Sequence, residues 1–362
     1  MHLRNISIQN FRCFQNTTAQ GFKTINLLGG QNNVGKTAFL EALLLLNESN
    51  AQSIITLLKS RNVELDFMTR MPTIAWDNFF YQQQNSKEIV IKTDSFSRKW
   101  QLKIGILKQD EPELKNNSSF DEQKLISLTK ELTIENSCDL IGGINKDGHT
   151  VGMYHLKTTT DDVIIVRNQS KGIINTNYIP SNKSASHEEL ALIFDTAKYE
   201  GWSDRLLAAF RLIDPSIVKV DSFSLGKTPS IYLQRNNEKY LPLSHFGDAM
   251  NKIANYVLRI VGSNNSVLLI DEIENGIHHS HQEELWSMLF KLALEFKVQI
   301  FATTHSGEML NAFKNVTIKQ QDSDNGAYFM LDRHHTTQEI IVQKIPIATL
   351  NERIQTQKPT RG

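Results

Sequence analysis

Residues Gly30-Gln31-Asn32-Asn33-Val34-Gly35-Lys36-Thr37 match the pattern G-x-x-x-x-G-K-[ST] at every fixed position. Each fixed residue has a chemical reason. The glycines let successive backbone N–H groups turn inward around a polyphosphate, and the helix that starts behind them adds its positive dipole end. Lys36 would reach the β- and γ-phosphates, and the Thr37 hydroxyl would ligate Mg²⁺. Gln31, Asn32, Asn33, Val34 and Ala38 belong to the same expected cradle. A second constellation is Val267-Leu-Leu-Ile-Asp271-Glu272, two adjacent carboxylates at the end of an apolar run. Asp271 suits a Mg²⁺ partner, direct or through water, and Glu272 suits a general base that polarises an attacking water. A third is Ala302-Thr-Thr-His305-Ser306. His305 could contact a γ-phosphate and the water, although a histidine at a strand end is also a common satisfied polar residue.

These residues need particular elements to hold them. Thr24–Leu28 reads as an apolar strand entering the glycine loop, and Phe39, Leu40, Leu43, Leu44 and Leu46 continue from it as a buried helix. The near-continuous apolar run Val267–Ile270 predicts a parallel strand covered on both faces, which puts Asp271 and Glu272 at its C-terminal end, where open α/β sheets bind ligands. Leu285, Met288, Leu289, Leu292, Ala293 and Phe296 form one helical stripe, and residues 298–306 supply another buried strand. That strand–helix–strand order predicts an α/β chain with His305 at the same rim as the carboxylates.

Elsewhere, Ile6 and Ile8 alternate as a strand running into a turn. Residues 87–94 and 99–107 suggest an antiparallel β annex, and 161–168, 176–182, 217–223 and 229–235 read as further strands. Helical spacing over His187–Lys198 and Gly201–Ile213 ends at Asp214-Pro215. Residues 108–160 carry little pattern, and the polar tail after Leu350 is expected to fray.

Composition narrows the class. Lys and Arg total 39, as do Asp and Glu, so no global basic field points to nucleic acid or an anionic membrane. Cys13 and Cys138 form no CxxC pair, which suits a reducing cytoplasm. No apolar run is long enough to span a bilayer, and the N-terminus lacks a secretory apolar segment, so the expectation is a cytoplasmic protein without a membrane partner.

The segments ISIQNFRCF, INLLGGQNNVGKTAFLEAL, YIPSN, PLSHFGDAMNKI, LLIDEIENGIHHS and QIFATTHSGEML, in that order, resemble ABC-type ATPases of the RecF/SMC/OLD group, most closely the short stand-alone OLD-like ATPases of bacteria. The resemblance implies a P-loop NTPase fold, the ABC-type head, with a helical insertion and one ATPase domain over residues 1–350. Its N-terminal lobe (1–107) would carry the phosphate loop, 108–240 an insertion with a helical/β lobe, and 241–350 the remaining motifs. It implies ATP and Mg²⁺ as cofactors and a homodimer or higher homo-oligomer that sandwiches two nucleotides. In that sandwich Ser244 and Gly247 would cap the γ-phosphate bound by the opposite subunit. Leu243 and Ser244 match the family's LSGGQ signature, but the glycine falls one position late. Arg12 matches the family's NFR arginine near the phosphates.

Other family positions fit loosely. The Q-loop would fall at YIPSN, where no glutamine stands, leaving Ser181 or Asn182 for that role. Asn275, Gly276 and His278 occupy the place of the D-loop. A helix start explains the His278, His279 and His281 cluster better than a metal site does. No sustained heptads lie between Ile89 and Leu241, so a coiled-coil arm is not expected. Asp322-Ser-Asp324 reads as a turn between hairpin strands rather than as nuclease carboxylates. Asn145-Lys146-Asp147 lacks the spacing for guanine recognition, which favours ATP. The leading expectation is an ATPase switch gating a separately encoded nuclease or toxin effector in bacterial anti-phage defence. The alternatives are a RecF-like ATPase that binds DNA, and a scaffold with negligible turnover.

Overall fold

The first two strands pair at once: Asn5–Phe11 (β1) turns at Arg12 and Cys13 into Phe14–Gln20 (β2), antiparallel, with Asn5 opposite Gln20. The structure, a computed structural model, describes residues 2–350 apart from 64, 96, 108–137, 264 and 320–322. Ile25–Gly29 (β3) is buried throughout and feeds the glycine loop and then the helix Lys36–Glu48 (α1). Ala51–Ser60 (α2) and Leu65–Arg70 (α3) follow. Next come Ile89–Ser95 (β4), Arg98–Leu107 (β5), Cys138–Lys146 (β6), His149–Thr158 (β7), Val163–Asn168 (β8) and Thr176–Ile179 (β9).

The predicted annex is larger than its two sequence segments. β4 and β5 lie in a seven-stranded sheet of order β2-β1-β4-β5-β6-β7-β8, antiparallel throughout. β2, β6 and β7 escape the sequence reading because their burial comes from pairing, not from an alternating apolar pattern. β6 holds two adjacent glycines, and Tyr154 of β7 lies against Gly142, where an added Cβ would come within 2.0 Å of its ring.

His187–Tyr199 (α4) and Ser203–Ile213 (α5) precede Ile217–Phe223 (β10), Ser230–Arg235 (β11) and Leu241–Pro242 (β12), which form a three-stranded sheet. Gly247–Val261 (α6) leads to Val267–Ile270 (β13), and Gln282–Phe296 (α7) crosses to Gln299–Thr303 (β14). Gly307–Lys319 (α8), Gly326–Arg333 (β15) and Ile340–Ile345 (β16) complete the chain. Asp324 sits in a short 3₁₀ turn, Ser323–Asn325, that joins α8 to β15. The expected hairpin there is a helix-to-strand connection, because residues 307–319 close a helical turn pattern. Asp322 lies outside the described residues, as do 351–362.

The second large sheet has the order β16-β15-β3-β14-β13-β9. β9, β13, β14, β3 and β15 run parallel, and β16 is antiparallel to β15. Alternation along its strands feeds two cores. Leu268 and Ile270 of β13, Ile300 and Ala302 of β14, and Ile25 and Leu27 of β3 pack among the helices α4 to α8. Val267, Leu269, Phe301 and Leu28 face the other way, onto α1 and the antiparallel sheet. α1 therefore lies between two sheets, and every residue from Ala38 to Asn47 is buried. Each large apolar side chain sealed there, such as Phe39 or Leu43, contributes roughly 1.5–3 kcal/mol of burial. The phosphate loop is thus mounted on a strand–helix joint that is buried on both sides. The longest helices, α6 and α7, have 15 residues each, and among the described residues none is long and apolar enough to cross a membrane.

Candidate active site

Two glycines of the loop have steric reasons. Gly30 has φ 143°, and a Cβ there would come within 2.3 Å of the Leu331 carbonyl oxygen on β15. Gly35 has φ 87°, and its Cβ would meet Cys13 Sγ at 2.4 Å. Between them the loop backbone turns back on itself, with Asn33 also left-handed at φ 62°. Gly35 caps α1 without any side-chain hydrogen bond, and no acidic residue lies in the first turn. The helix N-terminus thus keeps its N–H donors for an anion. Lys36 Nζ donates to the carbonyls of Gly30 (2.9 Å) and Gln31 (2.7 Å), at the rim that a polyphosphate would share. Burial lowers the pKa of this ammonium, while Glu274, Asp271 and Glu272 pull it the other way.

Asp271, 5% exposed, leaves the end of β13 directly beneath the loop. Thr37 Oγ1 donates to its carboxylate at 2.9 and 3.1 Å, and Thr303 Oγ1, at the end of β14, donates at 2.7 Å. Ser181 also bonds this carboxylate, whereas Asn182 turns away to the Ser60 carbonyl. Of the two residues weighed for the Q-loop role, Ser181 is the one beside Asp271. Burial raises the Asp271 pKa above the usual carboxylate range, and the hydroxyl hydrogen bonds only partly offset it. A buried carboxylate ringed by hydroxyl oxygens is a hard-donor set short of positive charge, and Mg²⁺ bound through Thr37 and Asp271 fits it.

Glu272 stands in a left-handed backbone conformation, φ 51°, which a non-glycine residue adopts at a cost of about 1–3 kcal/mol. Its N–H donates to Thr303 Oγ1 (2.8 Å), so one hydroxyl ties both carboxylate residues to β14. Asn275 Nδ2 donates to Glu272 Oε2 at 2.8 Å, and Lys252 on α6 donates to the Asn275 carbonyl at 2.5 Å. The turn therefore aims the Glu272 side chain into the cleft. His305, 48% exposed, emerges one strand over at the same rim.

Lys36, Thr37, Asp271, Glu272 and His305 line one cleft of about 920 Å³ with Asn32, Asn33, Gly35 and Ala38. Arg12 lines it too. It sits in the β1–β2 turn at φ 52°, its guanidinium 4.4 Å from the Phe79 ring centre, with Nη1 donating to the Asn78 carbonyl. Arg12 Nε (3.2 Å) and Arg61 Nε (2.6 Å) both reach Glu41, whose side chain is fully buried in α1. Arg61, Asn78, Gln82 and Gln83 are cleft residues that sequence reasoning missed, as are the positioning groups Thr303, Glu41 and Asn275. A lone glutamate inside the apolar run of α1 was a legible signal for Glu41.

Ser244 and Gly247 do not line this cleft. Ser244 lies in the 3₁₀ turn Leu243–Phe246, and Gly247 opens α6 at φ 86° with nothing within 4 Å of where its Cβ would be. Both are exposed, and α6 begins without a side-chain cap. Ser244 belongs to an adjoining groove that shares Asp271 and Glu272 with the cleft. Gly276 follows at φ 70° against Lys252. His278 engages Ser280, and His281 engages Glu284.

The family profile that matches residues 25–311 is described as "AAA domain, putative AbiEii toxin, Type IV TA system". A curated relative, the "ATP/GTP phosphatase" of Helicobacter pylori (strain ATCC 700392 / 26695), is 24% identical over 88% of this chain and 89% of its own. The SMC head bound to the C-terminal winged-helix domain of ScpA superposes with a TM-score of 0.50 at 9% identity, over 96% of this chain and 99% of that one. That likeness bears on fold alone. Since the matched region spans most of the sequence and contains the phosphate loop, the carboxylate pair and His305, the chain belongs to this AAA-domain family and is a P-loop ATPase.

Proposed function

We propose that the chain is an ATP-hydrolysing dimeric switch whose nucleotide state is read by a separately encoded partner. One observation supports this most: Thr37, Asp271, Glu272 and His305 converge at one rim, beside an uncapped helix N-terminus. In this reading the loop N–H groups from Gly30 to Ala38 hold the phosphates, and Lys36 leaves its loop carbonyls for the β/γ-oxygens. Arg12 and Arg61 add positive charge from the opposite wall. Mg²⁺ held by Thr37 and Asp271 would neutralise charge on the β- and γ-oxygens. Glu272 takes a proton from the attacking water, and His305 orients that water and the γ-phosphate.

Ser244 and Gly247 act in trans. They face outward, away from their own cleft, at a helix start that has no side-chain cap but carries Asp248 in its first turn, so any phosphate they meet belongs to a second protomer. Closure thus requires ATP, and hydrolysis releases it. Lys252 links α6 to Asn275 and so to Glu272, which gives closure a route to the base. The family description carries a toxin–antitoxin context, and OLD-like ATPases act beside effectors. Both support an effector of the nuclease or toxin kind, in anti-phage defence. Steady-state turnover with Mg²⁺, with and without duplex DNA, tests the reading. The expected result is Mg²⁺-dependent ATP hydrolysis that DNA leaves unchanged. Strong stimulation by DNA would favour a RecF-like role, and negligible turnover would contradict the switch.

A further inference from the structure

Glu274 is not part of the cleft wall, yet it is the carboxylate most tightly engaged with His305. Its side chain is 8% exposed. Oε1 accepts from the His305 N–H (2.7 Å) and the Ser306 N–H (3.2 Å), and lies 2.9 Å from His305 Nδ1. Oε2 is buried without a hydrogen-bond partner. A carboxylate spends its desolvation on those three contacts alone, all of them to the two residues that follow β14 and Thr304.

We infer that Glu274 is the positioning residue for His305, fixing both its backbone and its ring tautomer; the inference rests on the proposed role of His305. An ionised carboxylate only accepts, so the ring nitrogen facing it, Nδ1, must carry the proton. Nε2, on the far side of the ring, is left for the cleft that His305 lines. The two backbone contacts hold the turn that carries the ring. Glu274 lies two residues after Glu272 in the same turn, so base and histidine are braced on one loop. The division of labour is steric: Glu272 reaches the cleft and Glu274 faces the underside of the His305 turn. No proton leaves Glu274 in this arrangement; its hydrogen bonds act on the reaction through the histidine, while its charge also bears on Lys36.

The test combines a double-mutant cycle with a spectroscopic readout. Turnover is measured for the parent, Glu274→Ala, His305→Ala and the double variant. Glu274→Gln keeps the shape and one acceptor if the alanine variant folds poorly. Glu274→Ala should lower kcat by about 10–100-fold with KM little changed, the size seen when a carboxylate supporting a functional histidine is removed. It should cost nothing further in the His305→Ala background. In nucleotide-free protein, ¹⁵N-histidine spectra assigned by the loss of one signal in His305→Ala should show His305 protonated on Nδ1. That signal should move toward a tautomer mixture in Glu274→Ala, where no acceptor faces Nδ1. Equal losses of kcat in both backgrounds, or an unchanged tautomer, would overturn the inference. An unaltered kcat in His305→Ala would instead remove the role of His305 itself, and the inference with it, while leaving the tautomer result as a purely structural contact.

Discussion

Lys36→Ala protein should lose ATP affinity by about one to four decades while remaining folded. The lysine's expected contribution is one or two charge-assisted hydrogen bonds to the β/γ-phosphates, at roughly 1.5–3 kcal/mol each, and 1.4 kcal/mol is one decade. Among the described residues no other lysine lines the cleft, and the guanidiniums that line it, Arg12 and Arg61, are already held by Glu41. In the nucleotide-free protein Lys36 bonds only loop carbonyls, which water can serve, so the change should be nearly silent in thermal unfolding without ATP. Calorimetric titration checks both statements. Unchanged ATP affinity would contradict the assignment of the loop.

Glu272→Gln should slow hydrolysis by about 10²–10⁴-fold and leave ATP binding intact. The amide keeps the length and still accepts from Asn275 Nδ2, and the left-handed backbone at Glu272 is no harder for glutamine. Only the basic oxygen is lost. Unhydrolysed ATP then holds two protomers together, so the variant should run as a dimer with ATP and Mg²⁺ and as a smaller species without them. Single-turnover kinetics and light scattering measure the two effects. Hydrolysis at the parental rate would contradict the assignment of Glu272 as the base.

The phosphate loop and its frame were legible because their signals are local. A strand, the two fixed glycines of the loop and an apolar helix lie within 24 residues, Ile25 to Glu48, and β13 announces its two-faced burial in four letters. What sequence did not yield depends on register. Thr303 serves Asp271 and Glu272 because Ile270 pairs with Ala302, which places its hydroxyl beside both. Arg61 reaches the cleft only because α2 packs beside α1 and brings it within reach of Glu41. Ser181, not Asn182, meets Asp271 because Ile179 pairs with Ile270 and the chain then turns at Pro180. The extent of the antiparallel sheet was hidden for the same reason, since β2 is mostly polar and half exposed, and β6 holds two adjacent glycines yet is buried by its neighbours.

The proposed composite site between protomers is tested most directly by mixing two defective proteins. Lys36→Ala lacks a working loop and keeps its Ser244–Gly247 segment. Gly247→Arg keeps its loop, and the arginine meets open space but blocks closure over a second protomer's phosphate. Because φ at Gly247 is 86°, Ser244→Arg serves as a companion variant without backbone strain. In a heterodimer of the two, one composite site joins both defects and the other joins two intact halves. ATP hydrolysis should therefore recover on mixing, with a maximum near equal proportions, while each protein alone stays slow. No recovery at any ratio, with heterodimers shown to form, would contradict capping in trans.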